Sequence, residues 1–525
     1  MTKLTALPPH RHPWETLAAR EDLRWVDGML HLVHDDQTPD AARTADLTLI
    51  ADALEAAGVE PLLIRHGRSR PALVVTDAQA PVAIDAISAL GHSEPLYVKT
   101  RNDDPRLASD SAWPDAAPAS VRLFRPRVTP GGSLRYGLRE SVTVEIWRFD
   151  DGTVHAPRAN ALTRRVFPVS ELEKTTVTRY GRSWHTLSGM FDPQPDEFIG
   201  EIDMVFSWVD GSSSEFQRQR AARMEEYVVG AGDDGPARYR HVDELRYALR
   251  SVHLYAPWVR RIFIATDSTP PAWLKEHPKV TIVRSEEFFA DPAVLPTHNS
   301  HAVESQLHHI DGLSEHFLYS NDDMFFGRAV QPELFFSAGG VSRFVECGIR
   351  IGSGGAHVHR SGHDNALRVN RELLRERFGR TILRDLEHCA APLRRSVLYE
   401  LEETFSADFA RTAASRFRSA TDVSVTNCLY HYYALATGRA VTTTMPKVRY
   451  VQTTMASSLR RMENLVERRD ADMFCLNDGG ENEVPESVRV QRVTDVLERM
   501  FPVRAPWEID EVSAAPASEQ ASAQR

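Results

Sequence analysis

The chain has 525 residues, 42% hydrophobic and 26% charged, and its formal net charge is −11 at pH 7. These proportions are typical of globular proteins, and the length predicts more than one domain. The negative charge argues against nucleic acid as a partner, because a phosphate backbone requires a positive protein surface.

Residues 1–22 alternate proline, histidine and charged residues without an apolar run, so no secretory signal is predicted. No later segment approaches the roughly 20 apolar residues of a membrane-crossing helix. The four cysteines are widely spaced and form no CxxC pair, which indicates neither a disulfide framework nor a zinc site. We therefore expect a cytoplasmic protein without a transmembrane segment. Peripheral contact with a membrane complex at the inner face stays open.

Residues 1–195 are predicted to form a smaller, accessory α/β module of unknown role. Helical periodicity over 41–57 and 81–90 alternates with strand-like runs at 61–65 and 72–76. No chemical motif accompanies these elements. Docking, acceptor recognition and a purely structural role are therefore equally open for this module.

Residues 196–345 are predicted to form an α/β core. Apolar strands alternate here with amphipathic helices at 242–255 and 300–310. The predicted strands are 202–210, 261–267, 280–284 and 317–319. This alternation predicts a largely parallel, Rossmann-like sheet with helices on its faces.

Polar residues follow three of these strands. Asp210-Gly211 follows the first and Asp267 the second, while Asn321-Asp322-Asp323 interrupts an apolar run after the last. Open α/β sheets bind ligands at the carboxyl ends of their strands, and adjacent carboxylates suit a hard divalent cation that can also contact phosphate. The alternative is an Asn-Asp turn between two strands.

Residues 346–505 are predicted to be mainly helical, with helices at 370–378, 392–405 and 425–436. The glycine-rich stretch at 348–362 lacks the Gly-Lys-Ser/Thr ending of a P-loop, and we expect a mobile loop there. The Ala/Ser/Glu/Gln-rich segment 506–525 is predicted to be a disordered tail.

Four blocks, in order along the chain, resemble one known family. They include Ile202-Asp-Met-Val-Phe-Ser-Trp-Val-Asp-Gly-Ser212, Asn321-Asp-Asp-Met-Phe-Phe-Gly327, Glu400-Leu-Glu-Glu-Thr-Phe405 and Cys475-Leu-Asn-Asp-Gly479. The chain resembles the Stealth family of sugar-1-phosphate transferases over roughly residues 200–480. This family includes bacterial capsule and exopolysaccharide phosphotransferases and the catalytic core of GlcNAc-1-phosphotransferase.

The resemblance implies a Rossmann-like core of the glycosyltransferase-A type with helical additions, in which residues 346–505 complete the active site. It implies transfer of a hexose-1-phosphate from a nucleotide-sugar donor, UDP-linked or similar, to a hydroxyl of a glycan acceptor. The products are then a phosphodiester and a nucleoside monophosphate. Two alternatives remain: an ordinary glycosyltransferase that releases the nucleoside diphosphate, and a nucleotide-sugar-binding module without catalysis.

The chemistry of phosphoryl transfer, taken with the resemblance, suggests roles for five residues. Asp322 and Asp323 would bind Mg²⁺ or Mn²⁺ or orient the acceptor, with a capping pair as the alternative. His388 would act as general base, and Arg418 would hold phosphoryl oxygens. The resemblance also places Glu304 in the site. For His388 the alternative is a hydrogen-bonded core histidine, and for Arg418 a surface ion pair.

Further residues are assigned to the donor and the cation. The late polar pair Asn477 and Asp478 could complete the metal site. The residues expected to contact the donor are Asp203, Asp210, Gly211, Arg240, Arg246 and Asn321. Arg246 and Arg250 share one helix face, so they could instead pair with Asp243 and Glu244.

His301 and His308 have a spacing that resembles that of metal ligands, but they belong to no recognised zinc signature. A histidine-rich, exposed helix face is the preferred interpretation of this pair.

Overall fold

The computed structural model describes residues 17, 19–67, 70–101, 103–110, 119–211, 213, 217–218, 242–479 and 483–509. The chain divides into two compact units, Met1–Pro195 and Asp196–Arg525. Arg240, an expected donor contact, lies outside the described residues.

The first unit is rich in short strands, and two α-helices lie within its described residues. Its described strands are β1 (Leu23–Val26), β2 (Met29–Val33), β3 (Leu62–His66), β4 (Arg70–Thr76), β5 (Tyr97–Lys99), β6 (Arg106–Leu107), β7 (Ser120–Phe124), β8 (Arg127–Val128), β9 (Arg135–Tyr136), β10 (Val142–Asp150), β11 (Thr153–His155), β12 (Val166–Pro168), β13 (Lys174–Arg179) and β14 (Arg182–Leu187). Its described helices are α1 (Pro39–Ala56) and α2 (Ala80–Leu90).

The main sheet of the first unit has the strand order β12-β11-β10-β7-β5-β6, and β4 joins it by pairing in parallel with β10. Helix α1 begins where the sequence favours it. The Thr38 side chain accepts a hydrogen bond from the backbone N–H of Ala41, and Pro39 occupies the first helical turn. Residues from both helices and the sheet form one apolar core.

The second unit carries the candidate site. Its described strands are β15 (Ile202–Ser207), β16 (Ile262–Ala265), β17 (Val280–Val283), β18 (His316–Asn321), β19 (Met324–Phe326), β20 (Ser342–Phe344), β21 (Glu346–Arg350), β22 (Arg384–Leu386), β23 (Ala391–Arg394), β24 (Ala440–Thr442), β25 (Val448–Gln452) and β26 (Met473–Asn477). Its described α-helices are α3 (Glu244–Tyr255), α4 (Ser285–Phe288), α5 (Ser300–Glu304), α6 (Gly362–Phe378), α7 (Arg395–Thr404), α8 (Ser406–Ala414), α9 (Tyr430–Ala436), α10 (Ser458–Arg468) and α11 (Glu486–Met500). None of the helices in the described ranges is both long and apolar enough to cross a membrane.

The central sheet of this unit has the order β17-β16-β15-β18-β23. The first four strands are parallel, and β23 pairs antiparallel with β18. Strands β15, β16 and β18 are buried along almost their whole length, as expected when helices cover both faces of a parallel sheet. The predicted α/β core with a largely parallel, Rossmann-like sheet is confirmed. The carboxyl ends of β15, β16, β17 and β18 therefore meet at one edge.

Strand β19 leaves this sheet and joins a second one. It pairs antiparallel with β26, which pairs in parallel with β25. The backbone N–H of Leu476 donates to the carbonyl of Asp323 at 3.0 Å. The polar connection after β18 is therefore held against the end of a strand that lies about 150 residues later in the chain.

Two predicted helices differ from those observed. The helix predicted over 300–310 is only α5, which is followed by a short 3-10 helix at Leu307–His309. The helix predicted over 392–405 begins as strand β23 and continues as α7. Pro392 fits β23 because this is an edge strand, where a missing N–H costs no ladder hydrogen bond. Residues 346–505 are thus less helical than predicted.

The glycine-rich stretch is held in place by a helix rather than free. Within it, Glu346–Arg350 forms β21, and the Arg371 guanidinium donates to the carbonyls of Gly352 and Gly354 at 2.6 Å each. Both glycines have φ near +80°, a conformation that favours glycine. The loop that the sequence predicts to be mobile is therefore anchored at these two glycines.

The prediction that the chain is disordered from residue 506 is wrong for residues 506–509. Trp507 and Glu508 are 1% and 3% exposed. The Glu508 carboxylate accepts hydrogen bonds from Arg246 and Arg250 at 2.7 Å each. Arg246 is therefore part of an ion pair with a buried carboxylate, which corrects its assignment to the donor site. Residues 510–525 lie outside the described residues.

We expect Glu508→Ala to lower the free energy of unfolding by about 3–5 kcal/mol, because it leaves the Arg250 charge buried without its partner. Urea denaturation followed by tryptophan fluorescence would measure this loss. The control is Glu372→Gln, which removes an exposed partner of Arg375 and should cost less than about 1 kcal/mol. Equal losses in the two variants would contradict the structural role of residues 506–509.

Candidate active site

The connection between β18 and β19, Asn321-Asp322-Asp323, lies at the carboxyl edge of the central sheet. The Tyr319 hydroxyl donates to Asn321 Oδ1 at 2.9 Å and lies 2.8 Å from Ser207 Oγ at the end of β15. Ser207 therefore donates to Tyr319, which donates to Asn321. These bonds fix the Asn321 side chain at the point where two neighbouring strands end.

Asp323 has one carboxylate oxygen engaged and one unengaged. Its Oδ2 accepts hydrogen bonds from Asn477 Nδ2 at 3.3 Å and Cys475 Sγ at 3.4 Å. Its Oδ1 is buried and has no hydrogen-bond partner. Burial raises the pKa of Asp323 to about 6, and the charges of Glu244 and Asp478 add to the rise.

This environment fits a divalent cation. A buried carboxylate among like charges is stabilised by an added positive charge, and hard cations take carboxylate oxygens as ligands. The unpartnered Oδ1 supplies such an oxygen, and the adjacent half-buried Asp322 supplies a second carboxylate. Asp322 and Asp323 are thus the residues that would hold the ion.

Asn477 and Asp478 have a different role from the metal ligation expected of them. Asn477 Oδ1 accepts from the Tyr450 hydroxyl at 2.9 Å, so the amide presents its NH₂ group to Asp323. Asp478 Oδ1 accepts from Thr453 and lies 3.8 Å from the Arg489 guanidinium. These contacts engage Asn477 Oδ1 and Asp478 Oδ1. Asn477 instead supports Asp323 through its NH₂ group.

His388 lies next to a pair of side chains that sequence patterns did not reveal. Its ring is 6.1 Å from that of His363, and His363 Nε2 lies 2.8 Å from Asp385 Oδ2. Burial lowers the pKa of His388, and the neighbouring His363 lowers it further. His388 is therefore neutral near pH 7 and can accept a proton there, as a general base must.

Tyr450 connects His388 to the carboxylates. The rings of Tyr450 and His388 are 5.3 Å apart, and the Tyr450 hydroxyl donates to Asn477. Asn477 in turn donates to Asp323. The candidate base and the candidate cation ligand thus lie on either side of one tyrosine and one asparagine, although 65 residues of chain separate them.

Arg418 and Glu304 are both brought to helix α5, Arg418 at its first residue and Glu304 as its last. Arg418 Nη2 donates to Ser300 Oγ at 2.8 Å. The loop that carries Arg418 is tied to α5 by Asp422, whose Oδ2 accepts from Asn299 at 2.8 Å. The Glu304 carboxylate is 4% exposed and accepts from Thr426 Oγ1 at 2.6 Å. Glu304 therefore lies beneath the site, while Arg418 is half-buried.

The expected donor contacts divide between the two ends of β15. Asp210 and Gly211 form a turn just beyond its carboxyl end, where the Asp210 N–H donates to Ser268 Oγ at 2.9 Å. Asp203 lies near the other end and is 0% exposed. Its carboxylate accepts from Arg260 Nη2 at 2.6 Å and from the Ser314 N–H at 2.8 Å. The expected nucleotide contact of Asp203 is corrected to a structural ion pair.

The preferred interpretation of His301 and His308 as an exposed helix face is wrong. They are 3% and 0% exposed. His301 Nδ1 lies 3.8 Å from Asp422, and His308 Nε2 lies 2.8 Å from Glu402. Each imidazole thus meets a carboxylate inside the second unit.

Comparisons with known proteins agree with the four blocks seen in the sequence. Models of Stealth conserved regions 1, 2, 3 and 4 match residues 200–228, 238–344, 387–435 and 464–518. These regions contain β18, the Asn-Asp-Asp connection, His388, Arg418 and the end of β26.

Curated relatives match over almost the whole chain. The exopolysaccharide phosphotransferase CpsY of Mycobacterium tuberculosis is 53% identical over 476 residues, which are 90% of this chain and 89% of the relative. An exopolysaccharide phosphotransferase of Nocardia farcinica is 50% identical and covers 93% of this chain and 91% of its own length. The exopolysaccharide phosphotransferase SCO6023 of Streptomyces coelicolor is 38% identical, with 92% and 85% covered.

Among solved structures, the galactosyltransferase LgtC in complex with donor and acceptor sugar analogues is 10% identical. It matches with a TM-score of 0.29 and covers 56% of this chain and 95% of its own. The matches to four conserved regions, and relatives that are half identical over nine tenths of the chain, show that this protein is a transferase that belongs to the Stealth family.

Proposed function

We propose that this protein is an exopolysaccharide or capsule phosphotransferase that moves a hexose-1-phosphate from a nucleotide sugar, UDP-linked or similar, to a hydroxyl of a glycan. The acceptor oxygen forms a bond to the β-phosphorus, and the bond from that phosphorus to the nucleoside monophosphate breaks. The hydroxyl proton goes to a base. The observation that carries the proposal is the unpartnered Asp323 oxygen near the neutral imidazole of His388 at one sheet edge.

Asp322 and Asp323 would hold Mg²⁺ or Mn²⁺. When bound, the ion would neutralise charge on the diphosphate of the donor. Asn477 and Cys475 orient Asp323 through its other oxygen, so the unengaged oxygen keeps a defined direction. Preorganised ligands of this kind avoid the cost of rearranging the site when the ion arrives.

His388 would accept the proton of the acceptor hydroxyl. The nearby Asp385 carboxylate favours the imidazolium that forms, against the opposing effect of His363. Arg418, with a planar guanidinium next to α5, would contact phosphoryl oxygens. The turn at Asp210 and Gly211 adjoins the same edge and would contact the donor, as would Asn321.

The released nucleotide separates this proposal from the alternatives. We expect the purified protein, given Mn²⁺, UDP-sugars and envelope oligosaccharides, to release UMP and form a phosphodiester. Nucleotide chromatography and phosphorus NMR of the glycan would measure both products. Release of UDP with a glycosidic product would replace the proposal by ordinary glycosyl transfer. Tight donor binding without release of a nucleotide would indicate a binding module.

The decline of kcat/KM at low pH, the acidic limb of the profile, should depend on the concentration of Mn²⁺. Asp323 has a pKa raised to about 6, so at low Mn²⁺ the value of kcat/KM should fall as the pH drops through about 6. Protons and Mn²⁺ compete for the same carboxylate, so more Mn²⁺ should move this limb to lower pH. Profiles at two Mn²⁺ concentrations test this, and a limb that does not move would remove Asp323 from the cation site.

A nucleotide-sugar donor is made in the cytoplasm, so the proposal includes a cytoplasmic location, with contact at the inner membrane face where acceptor glycans are assembled. The first unit would then serve acceptor recognition, docking or a purely structural role.

A further inference from the structure

A second cluster of ligand-type side chains lies away from the carboxylate site, between the short 3-10 helix Leu307–His309 and helix α7. His308 Nε2 and His309 Nε2 each lie 2.8 Å from the same oxygen, Glu402 Oε2. Within the described part of the chain, this is the one group of at least three His, Cys, Asp or Glu side chains whose ligand atoms all lie within 4.8 Å of one another.

The rings of the two histidines are held by aromatic neighbours. Tyr399 stacks on His309 with ring centroids 5.4 Å apart and meets His308 edge-on at 4.8 Å. Phe409 packs against the edge of His308 from helix α8. The side chain of His308 is 0% exposed, whereas those of His309 and Glu402 are 18% and 24% exposed. The cluster thus has a rigid inner wall and one side open to solvent.

This geometry matches the needs of zinc better than those of magnesium. Two imidazole nitrogens and a carboxylate form a common zinc ligand set, whereas magnesium prefers oxygen ligands alone. Tetrahedral zinc separates its ligand atoms by about 3.3 Å, so the observed 2.8 Å contacts need to open by only about half an ångström. A water molecule from the exposed side can supply the fourth ligand.

The charges around the cluster are compatible with a cation. The Glu402 carboxylate provides the negative charge. The Arg395 guanidinium is the adverse neighbour, but it donates to the carbonyls of His308 and Leu313 and packs on Tyr399. Its charge is therefore directed to backbone oxygens.

We propose that His308, His309 and Glu402 form a zinc site with three protein ligands and one position open to water, separate from the Mg²⁺ or Mn²⁺ site at Asp322 and Asp323. Zinc there would join the turn that follows α5 to helix α7. Because α5 carries Glu304 and contacts Arg418 through Ser300, the ion would stabilise the segment that supports the active site. This inference does not depend on the reaction that the protein catalyses.

The test uses the full chain, freed of metal with a chelator and titrated with Co²⁺ and then Zn²⁺. We expect one equivalent of Co²⁺ with the strong visible absorption of a four-coordinate site, displaced by Zn²⁺ and not by Mg²⁺. Zn²⁺ should also raise Tm. His309→Gln and Glu402→Gln should each weaken binding by at least about 10²-fold, since each removes one of three protein ligands.

The matched control is His359→Gln, because His359 and His357 form an exposed pair with rings 5.2 Å apart that could bind adventitious metal. This variant should bind as the wild type does. Loss of the signal in His359→Gln with retention in His309→Gln would overturn the proposal. So would a wild type that binds no Zn²⁺ or binds it with only weak, octahedral Co²⁺ absorption, and this result is independent of how the variants fold.

Discussion

Asp323→Asn should lower the rate of transfer by at least about 10²-fold while leaving the fold intact, the usual scale for one charge-stabilising group. The asparagine can still accept hydrogen bonds from Asn477 and Cys475, so the loop keeps its support. What disappears is the negative charge at the unpartnered oxygen, which is the feature that a cation requires. Initial rates of nucleotide release at saturating Mn²⁺ would measure the loss.

The stability of Asp323→Asn should not fall together with its transfer rate. Without metal, the free energy of unfolding should stay the same or rise. The pKa of Asp323 is raised from 3.8 to about 6 on folding, so the folded protein is penalised once the pH rises above the pKa of the unfolded chain. At pH 7 that penalty is on the order of 2–3 kcal/mol, and Asp323→Asn removes it. Urea denaturation without metal should therefore show an equally or more stable variant.

A loss of transfer rate without a loss of stability distinguishes a catalytic role of Asp323 from a structural one. A residue whose role is structural would lose stability and activity together when its charge is removed. The control is Asp495→Asn in the same unit, which removes a half-exposed partner of Arg499 and should change the transfer rate by less than about twofold. An inactive but less stable Asp323→Asn would indicate that the carboxylate holds the loop rather than the ion.

The position of the carboxylates was predictable because it depends on local sequence. An apolar run that ends in Asn321-Asp322-Asp323 places these side chains at the end of a strand whatever the rest of the chain does. The same reasoning placed Asp210 at the neighbouring strand end, where the structure has it.

Several side chains that hydrogen-bond to the site residues come from distant segments of the chain. Hydrophobic periodicity does not reveal such contacts. The sequence predicts Asn477 as a ligand because it belongs to a late polar pair, Asn477 and Asp478. The pairing of β26 with β19 instead turns its amide toward Asp323. Arg246 shows the same limit, because helical periodicity identified its face but not its partner Glu508, 262 residues later.

The remaining incorrect predictions come from sequence patterns that are compatible with two different structures. Pro392 can begin a helix or lie in an edge strand, and only the position of β23 at the end of the sheet separates these cases. Asp203 and Asp323 are both strand-end carboxylates. One lies at the amino end of its strand and is paired with Arg260, and the other lies at the carboxyl end with an oxygen unpaired.

His388→Ala should also lower transfer by at least about 10²-fold, because it removes the group that accepts the hydroxyl proton. Added imidazole should restore part of the rate, since the substitution removes a half-buried imidazole ring next to Tyr450 that the added molecule can replace. Imidazole should not restore Asp323→Asn, whose defect is the missing charge. The matched control, His357→Ala, changes an exposed histidine and should retain wild-type turnover.

The pH dependence gives a second, independent test of His388. At saturating Mn²⁺ the acidic limb that remains should belong to His388 and lie below pH 6.5, because burial lowers the pKa of this imidazole. Asp385→Asn should move that limb to still lower pH, since the Asp385 charge favours protonated His388. His388→Ala should abolish the limb. A variant that keeps wild-type turnover and the wild-type acidic limb would remove His388 from the reaction and leave the proton to another base at this edge of the sheet.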